Sequence, residues 1–232
     1  MKCLILGDGQ LGTELHKQTG WDFISRKTNN IDFTIVDSYK HIVLETHFDT
    51  VINCIAYTNT MNNEKEPHWS VNYLGVIDLV DICNEYNKKL VHISTDYIYA
   101  NSISEASEED IPVHFNNWYS YTKLLSDGYV QAKSKNYLLI RTHFRPKPYP
   151  WKKAWLDLLN NADYIDVIVY WIYLLIYKNE QGVFNVGSEI KTLHSLAKQT
   201  VPDCDPIMDD HKFLRPQNVT MNINKLKNTL QL

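Results

Sequence analysis

The hydrophobic positions of this chain fall into short apolar runs that alternate with stretches of helical spacing. Residues 3–6 (Cys-Leu-Ile-Leu) are apolar without interruption, as a parallel strand covered on both faces requires. Leu11 and Leu15 follow four apart, on one face of a helix. The same alternation predicts strands over 21–25, 50–56, 90–94 and 137–141, and helices over 41–48, 69–86, 119–134 and 167–177. Strands and helices in strict alternation predict an α/β protein, a doubly wound parallel sheet. A polar stretch over 101–117 separates two of these elements, and no repeat interrupts the pattern. The proline-rich segment 145–150 does interrupt it, because proline continues neither a central strand nor a helix interior. It divides a core over 1–144 from a small, shortened C-terminal lobe over 145–232, interleaved with the last core elements.

Chemistry enters at the first strand-to-helix junction. Gly7, Gly9 and Gly12 stand at the G-x-G-x-x-G spacing that binds a dinucleotide: a tight turn, bare backbone beside a pyrophosphate, and close helix packing, with the anion at the helix N-terminus. The core is therefore read as a Rossmann-type domain for NAD(P). At the end of the second strand an acidic residue would accept from the ribose 2′-hydroxyl, whereas a 2′-phosphate calls for cations. The residues here are Ser25, Arg26 and Lys27, which favour NADPH over NADH.

The rest of the composition narrows the class. With 232 residues, 44% hydrophobic, the chain is long enough for one α/β domain with a small appendage. A net charge of −4 and the lack of Lys/Arg runs leave no footprint for nucleic acid or an anionic membrane. The four cysteines are scattered, without ligand or C-x-x-C spacing, which fits reduced thiols and a cytoplasmic protein. No secretion signal is expected, because the first apolar run ends at Gly7. The apolar run 167–177 is too short to cross a bilayer and reads as a buried helix. The nine histidines lack metal-ligand spacing, so no metal is expected and a surface role is the plain reading.

Two further segments carry the reaction. Thr95 closes the strand ending at Ser94, and Tyr119 and Lys123 lie four apart at the start of a helix, on one face. A phenol is a poor proton donor or acceptor at neutral pH until a neighbouring ammonium stabilises its phenolate. Lys123 has the position for that, and Thr95 for a second hydrogen bond to the substrate oxygen that Tyr119 protonates.

These residues resemble the extended short-chain dehydrogenase/reductases and, within them, the dTDP-4-dehydrorhamnose reductase family. Gly9-Gln10-Leu11-Gly12 resembles its G-Q-[VL]-G turn and Asp32-Phe33 its D-[FIL] pair beside the adenine. Residues 51–58, with Cys54, Ile55, Ala56 and Tyr57, resemble the strand that runs under the cofactor, and Asn72 to Gly75 its N-x-x-G helix. Ser94-Thr95-Asp96-Tyr97 resembles its S-T-D-Y, Tyr119-x-x-Thr122-Lys123 its Y-G-x-[ST]-K, and the segment from Arg215 to Leu226 its R-P-x-x-S-x-L-x-x-x-K-L. The resemblance implies NADPH-dependent reduction of the 4-keto group of a nucleotide-linked 4-keto-6-deoxy sugar. Tyr119 would be the acid and Lys123 its activator, with Thr95, Asp96 and Phe144 on the sugar.

Departures from the pattern keep alternatives open. The lobe after Phe144 is shorter than the family's, and Phe144 replaces a tryptophan, losing the indole donor. Tyr97 stands where epimerase/reductases carry a cysteine base, which argues for plain reduction. The rivals are an epimerase or carbonyl reductase on the same scaffold, and a catalytically silent NAD(P)-binding sensor or regulatory subunit. A homodimer is compatible with all of these. Trp151, Trp155 and Leu158 have helical spacing and are expected in the core, Arg141 and Arg145 are diphosphate clamps or structural ion-pair partners, and Asp163 and Asp166 suit a helix start.

Overall fold

The computed structural model describes residues 2–45, 47–61, 64–100, 102–208 and 216–232. Six strands form the central sheet: β1 (Cys3–Leu6), β2 (Asp22–Ile24), β3 (Thr50–Asn53), β4 (Lys89–Ile93), β5 (Tyr137–Thr142) and β6 (Gly182–Val186). Their order is β2-β1-β3-β4-β5-β6, and every neighbouring pair is parallel. The order reverses between β1 and β3, the switch point where doubly wound sheets bind ligands beyond their carboxyl ends.

The two-residue period of each strand feeds two cores. Leu4, Leu6, Val51, Leu90 and Leu139 face α2 (Gly75–Glu85) and α3 (Trp118–Lys133), which add Leu79, Val80 and Val130. Cys3, Ile5, Ile52, Val91 and Ile140 face the other way, onto α1 (Gln10–Thr19), α4 (Ile165–Tyr177) and α5 (Asn224–Leu230). Burying each such aliphatic side chain contributes about 1.5–3 kcal/mol, so both sheet faces must be covered. That is why α4 is apolar on nearly every side: Ile168, Val169, Ile172, Leu175 and Ile176 are all buried. Among the described residues no helix is long and apolar enough to cross a membrane.

Several boundaries differ from the pattern-based expectation, each for a local reason. The helix expected over 41–48 is confined to Lys40–Val43, and Phe48 closes a turn onto the Glu45 carbonyl (3.2 Å). The strand expected to run to residue 56 stops at Asn53. Beyond it side chains take over the backbone pairing: Asn53 accepts from Ile55 N–H (3.0 Å), and Asn72 accepts from Tyr57 N–H (2.8 Å) and donates to its carbonyl (2.9 Å). The helix leading into α2 starts early, at Lys65, where no apolar stripe marks it, and passes through a π-helical turn at Ser70–Leu74 that holds Asn72.

Three two-stranded ribbons build the C-terminal part: Phe144–Arg145 with Asp163–Tyr164, Lys153–Trp155 with Asp205–Ile207, and Leu159–Asn160 with Lys191–Thr192. Tyr149, Ala154, Tyr164, Leu193 and Leu196 give it a small core of its own. The helical spacing read at residues 151–158 is overturned, because the non-local pairing with Asp205–Ile207 makes this segment extended. Asp163 precedes α4 and pairs with Lys191 (3.0 Å), while Asp166 lies in its first turn and pairs with Lys147 (2.7 Å).

Candidate active site

The turn after β1 is shaped by what a side chain would strike. Gly7 has φ +104°, and a Cβ there would lie 2.8 Å from Ile55 Cγ1. A Cβ on Gly12 would come within 2.1 Å of the Gly7 carbonyl oxygen, so β1 and α1 close up only with glycine at that position. Gly9, the N-cap of α1, has no heavy atom within 4 Å of the place its Cβ would take. The first N–H groups of a helix have no partner within it, so this open end suits an anion.

Gly9, Gln10 and Leu11 line one end of a cavity of about 940 Å³. Cys54, Ile55 and Ala56 line it from the end of β3, Thr95 and Asp96 from the end of β4, Tyr119 and Lys123 from α3, and Phe144 from the end of β5. The volume is at the upper end for ligand pockets. Burial pushes the Cys54 thiol up to about 12, so it stays protonated. Trp151, Trp155 and Leu158 also line the cavity; Leu158 is buried and Trp155 packs against the small C-terminal core, as expected, whereas Trp151 is about half exposed, a correction to its expected place in the core.

Local capping sets the reactive side chains. Asn117 caps α3 by accepting from Ser120 N–H (2.7 Å), and the Ser120 hydroxyl donates to the Tyr97 carbonyl (3.0 Å), tying the helix start to the β4 exit. Tyr119 is thus held in the first turn with its ring edge-on to Tyr97 (5.9 Å between centroids). Burial raises the pKa of its phenol, which a hydrogen bond with Thr95 opposes. Thr95 also accepts from Tyr97 N–H (3.3 Å) and donates to Asp96 (3.2 Å), and Asp96 accepts from His143 Nδ1 (2.9 Å).

Lys123 lies one turn along, and its amine is held by groups of β4. Nζ donates to the Ile93 carbonyl (2.7 Å) and lies 3.2 Å from His92 Nε2. Burial draws the lysine down to about 8, with Asp127 pulling the other way. Burial and the lysine charge together hold His92 well below its ordinary value, so the charge stays on Lys123. Among the described residues no hydrogen bond joins the Tyr119 and Lys123 side chains.

The residues expected around the adenosine end lie apart from the cavity wall. Ser25 is buried and caps the turn Arg26–Asn29, accepting from Thr28 N–H (3.2 Å). Arg26 and Lys27 are exposed, 3.4 Å from Asp32 and 3.8 Å from Asp8 respectively. Asp32 is lowered by hydrogen bonds from Thr34, and Phe33 is buried against Tyr39 (5.3 Å between centroids). Asn72 and Tyr57 brace each other, as given above. Arg141 proves structural: at 1% exposure it pairs with fully buried Asp127 (3.1 Å) and donates to the Tyr99 hydroxyl. Arg145 lines the cavity, whereas Arg215 lies outside the described residues.

Sequence reasoning missed three histidines. His68 and His92 are fully buried, the latter inside a strand, and His143 lines the cavity, so the surface role is wrong for all three. For His143 the signal was its place at the carboxyl end of β5, beside Phe144; for His92, its lying in a run otherwise destined for burial. Among the described residues no cluster of three metal-ligating side chains is present.

The model of the RmlD substrate binding domain family matches residues 1–170. The chain belongs to this family. A dTDP-4-dehydrorhamnose reductase of Mycolicibacterium smegmatis is 32% identical over 143 residues, covering 58% of this chain and 42% of that protein. The spore coat polysaccharide biosynthesis protein SpsK of Bacillus subtilis is 29% identical over 147 residues, 61% of this chain and 52% of its own length. The chain thus spans about half the length of the curated relatives it matches. Among solved structures, a dTDP-4-dehydrorhamnose reductase of Bacillus anthracis in complex with NADP superposes with TM-score 0.84 at 22% identity, covering 98% of this chain and 92% of that one. A hypothetical reductase of the same name from Sulfolobus tokodaii gives 0.83 at 22%, covering 98% and 94%. These likenesses establish the extended short-chain dehydrogenase/reductase fold.

Proposed function

We propose that this chain is an NADPH-dependent reductase of the 4-keto group of a nucleotide-linked 4-keto-6-deoxy sugar. The observation that carries the reading is convergence: the open glycine turn, Tyr119 with Thr95, Lys123, and the aromatic wall at Trp155 all border one cavity. The family and the names of its relatives support it.

The residues fit a dinucleotide. The bare backbone at Gly9 and the free N–H groups of α1 would hold the pyrophosphate, Arg26 and Lys27 a 2′-phosphate, and Cys54 to Ala56 the underside. When bound, the nicotinamide supplies a hydride. This chain's own part is to hold and protonate the carbonyl oxygen. Thr95 and Tyr119 hydrogen-bond it, and the raised pKa keeps the phenol protonated until the oxygen gains negative charge. The Lys123 ammonium lowers the cost of the phenolate left behind and is placed for the ribose hydroxyls. Residues 1–144 would serve as cofactor core and 145–232 as a substrate lobe interleaved with the last core elements, α4, β6 and α5.

The test is to mix the protein with NADPH and a 4-keto-6-deoxy sugar nucleotide and follow the nicotinamide absorbance. Oxidation that is lost in Tyr119→Phe supports the reading. Cofactor binding without oxidation of any such sugar supports a silent dinucleotide-binding protein instead.

A further inference from the structure

One nitrogen on the cavity wall has no part in the reduction. His143 follows the end of β5 and borders the same cavity as Thr95, Tyr119 and Lys123. Its Nδ1 lies 2.9 Å from Oδ2 of Asp96, whose other oxygen accepts from the Thr95 hydroxyl (3.2 Å). The Asp96 side chain is 2% exposed and that of His143 14%. A carboxylate only accepts hydrogen bonds, so the hydrogen of the neutral ring sits on Nδ1 and the free lone pair on Nε2. Among the described residues Nε2 has no hydrogen-bond partner, and it is not one of the polar atoms buried without one. The neighbouring groups are already committed. Both oxygens of Asp96 are taken, the Cys54 thiol stays protonated, and the Lys123 amine donates to the Ile93 carbonyl. His143 is therefore an unused base, one carboxylate removed from the Thr95 hydroxyl.

We propose that this cavity has a second activity: His143, held by Asp96, removes a hydrogen from a carbon next to the 4-keto group and exchanges it with solvent. The proposal rests on the substrate of the reading above, since a ring hydrogen is acidic only beside a carbonyl. Nε2 takes the hydrogen as a proton, the C–H electron pair becomes a double bond to the carbonyl carbon, and the carbonyl π pair moves onto oxygen. Hydride addition also puts negative charge on that oxygen, so the donors given to it above, Thr95 and Tyr119, serve both reactions. The imidazolium formed on His143 faces the Asp96 carboxylate, which favours it. Nε2–H then exchanges with cavity water and the proton returns to the carbon as the carbonyl reforms. Each bond broken is matched by one formed, nothing is oxidised or reduced, and the net change is one ring hydrogen replaced by one from solvent.

The experiment is to incubate the full chain with oxidised NADP and a 4-keto-6-deoxy sugar nucleotide in D2O and follow the ring C–H signals by proton NMR. The oxidised cofactor has no hydride to give, so the sugar stays a ketone. The expected result is that a signal beside the carbonyl disappears faster than it does for the sugar alone. Reduction of the same sugar with NADPH is measured in parallel. In His143→Asn the shorter amide keeps a donor for Asp96 but leaves no base at the position of Nε2. Exchange relative to reduction should then fall by about a hundredfold or more, whereas a histidine that only braced Asp96 would leave that ratio unchanged. Should His143→Asn fail to fold, His143→Gln takes its place. An unchanged ratio, or no exchange by a chain that reduces the sugar, overturns the second activity and leaves the reductase reading standing. Exchange without reduction overturns the reductase reading alone, and a chain that does neither overturns both.

Discussion

The Lys123 amine lies 3.2 Å from Nε2 of His92, and neither residue is more than 1% exposed. One positive charge is shared out between two basic groups in a place with little water, so it settles on the stronger base and makes that base weaker than usual.

The consequence is a pH dependence unlike that of an ordinary lysine. Burial sets Lys123 at about 8, with the Asp127 carboxylate one turn along its own helix opposing the fall. The ammonium is present below that pH and lost above it, so kcat of the reduction is expected to decline as pH rises through about 8. A lysine at its ordinary value would hold the rate to about 10. A rate at saturating substrate that stays level through that window would contradict this account of Lys123.

Two glycines in one turn separate folding from binding. In Gly12→Ala the new Cβ meets the Gly7 carbonyl oxygen at 2.1 Å, and neither backbone segment can yield cheaply. Overpacking of this kind costs about 1–3 kcal/mol or more, so the melting temperature should drop by several degrees. Gly9→Ala meets nothing within 4 Å and should melt like the unaltered chain. Its methyl would stand where a pyrophosphate is expected to approach, and fluorescence titration with NADPH should show weaker binding. Equal melting temperatures for the two variants would refute the packing argument.

Arg26 and Lys27 test the cofactor preference. Their pairs with Asp32 and Asp8 are long and exposed, worth about 0–1 kcal/mol, so removing the cations should leave stability unchanged. A charge-assisted hydrogen bond to phosphate contributes about 1.5–3 kcal/mol. Arg26→Ala should therefore raise KM for NADPH about tenfold or more while leaving KM for NADH nearly as it was. A parallel rise for both cofactors would point to a structural effect.

How much of this was legible in the sequence depends on whether the cause was local. The glycine turn and the Tyr119/Lys123 spacing need only neighbours along the chain, and the alternation of Leu4 and Leu6 with Cys3 and Ile5 shows a strand covered on both faces. The orientation of the Lys123 amine was not legible, because it is set by the Ile93 carbonyl and His92 on a strand some thirty residues earlier. Strand β6, Gly-Val-Phe-Asn-Val, carries a polar residue in a short apolar run, and only its place on β5 explains why Asn185 can be buried there, accepting from Tyr99 and donating to the Ala106 carbonyl. The segment around Trp155 was read with the wrong period for the same reason. Its strand partner, Asp205–Ile207, lies fifty residues further along.

Asp127 and Arg141 supply the last prediction. They join α3 to β5 beneath the active site, with side chains 0% and 1% exposed. A buried pair of this kind adds little net stability over apolar residues of the same volume, since desolvation offsets the attraction. Removing one partner alone strands a charge and costs about 3–5 kcal/mol. Arg141→Met should therefore lower the free energy of unfolding by that order in a urea titration, and the Asp127→Leu/Arg141→Met double variant should recover a good part of it. If the single and double variants lose stability equally, the attraction between the two charges is not what holds the start of α3 over the sheet, and the alignment of Tyr119 must depend on the Asn117 cap and the Ser120–Tyr97 hydrogen bond instead.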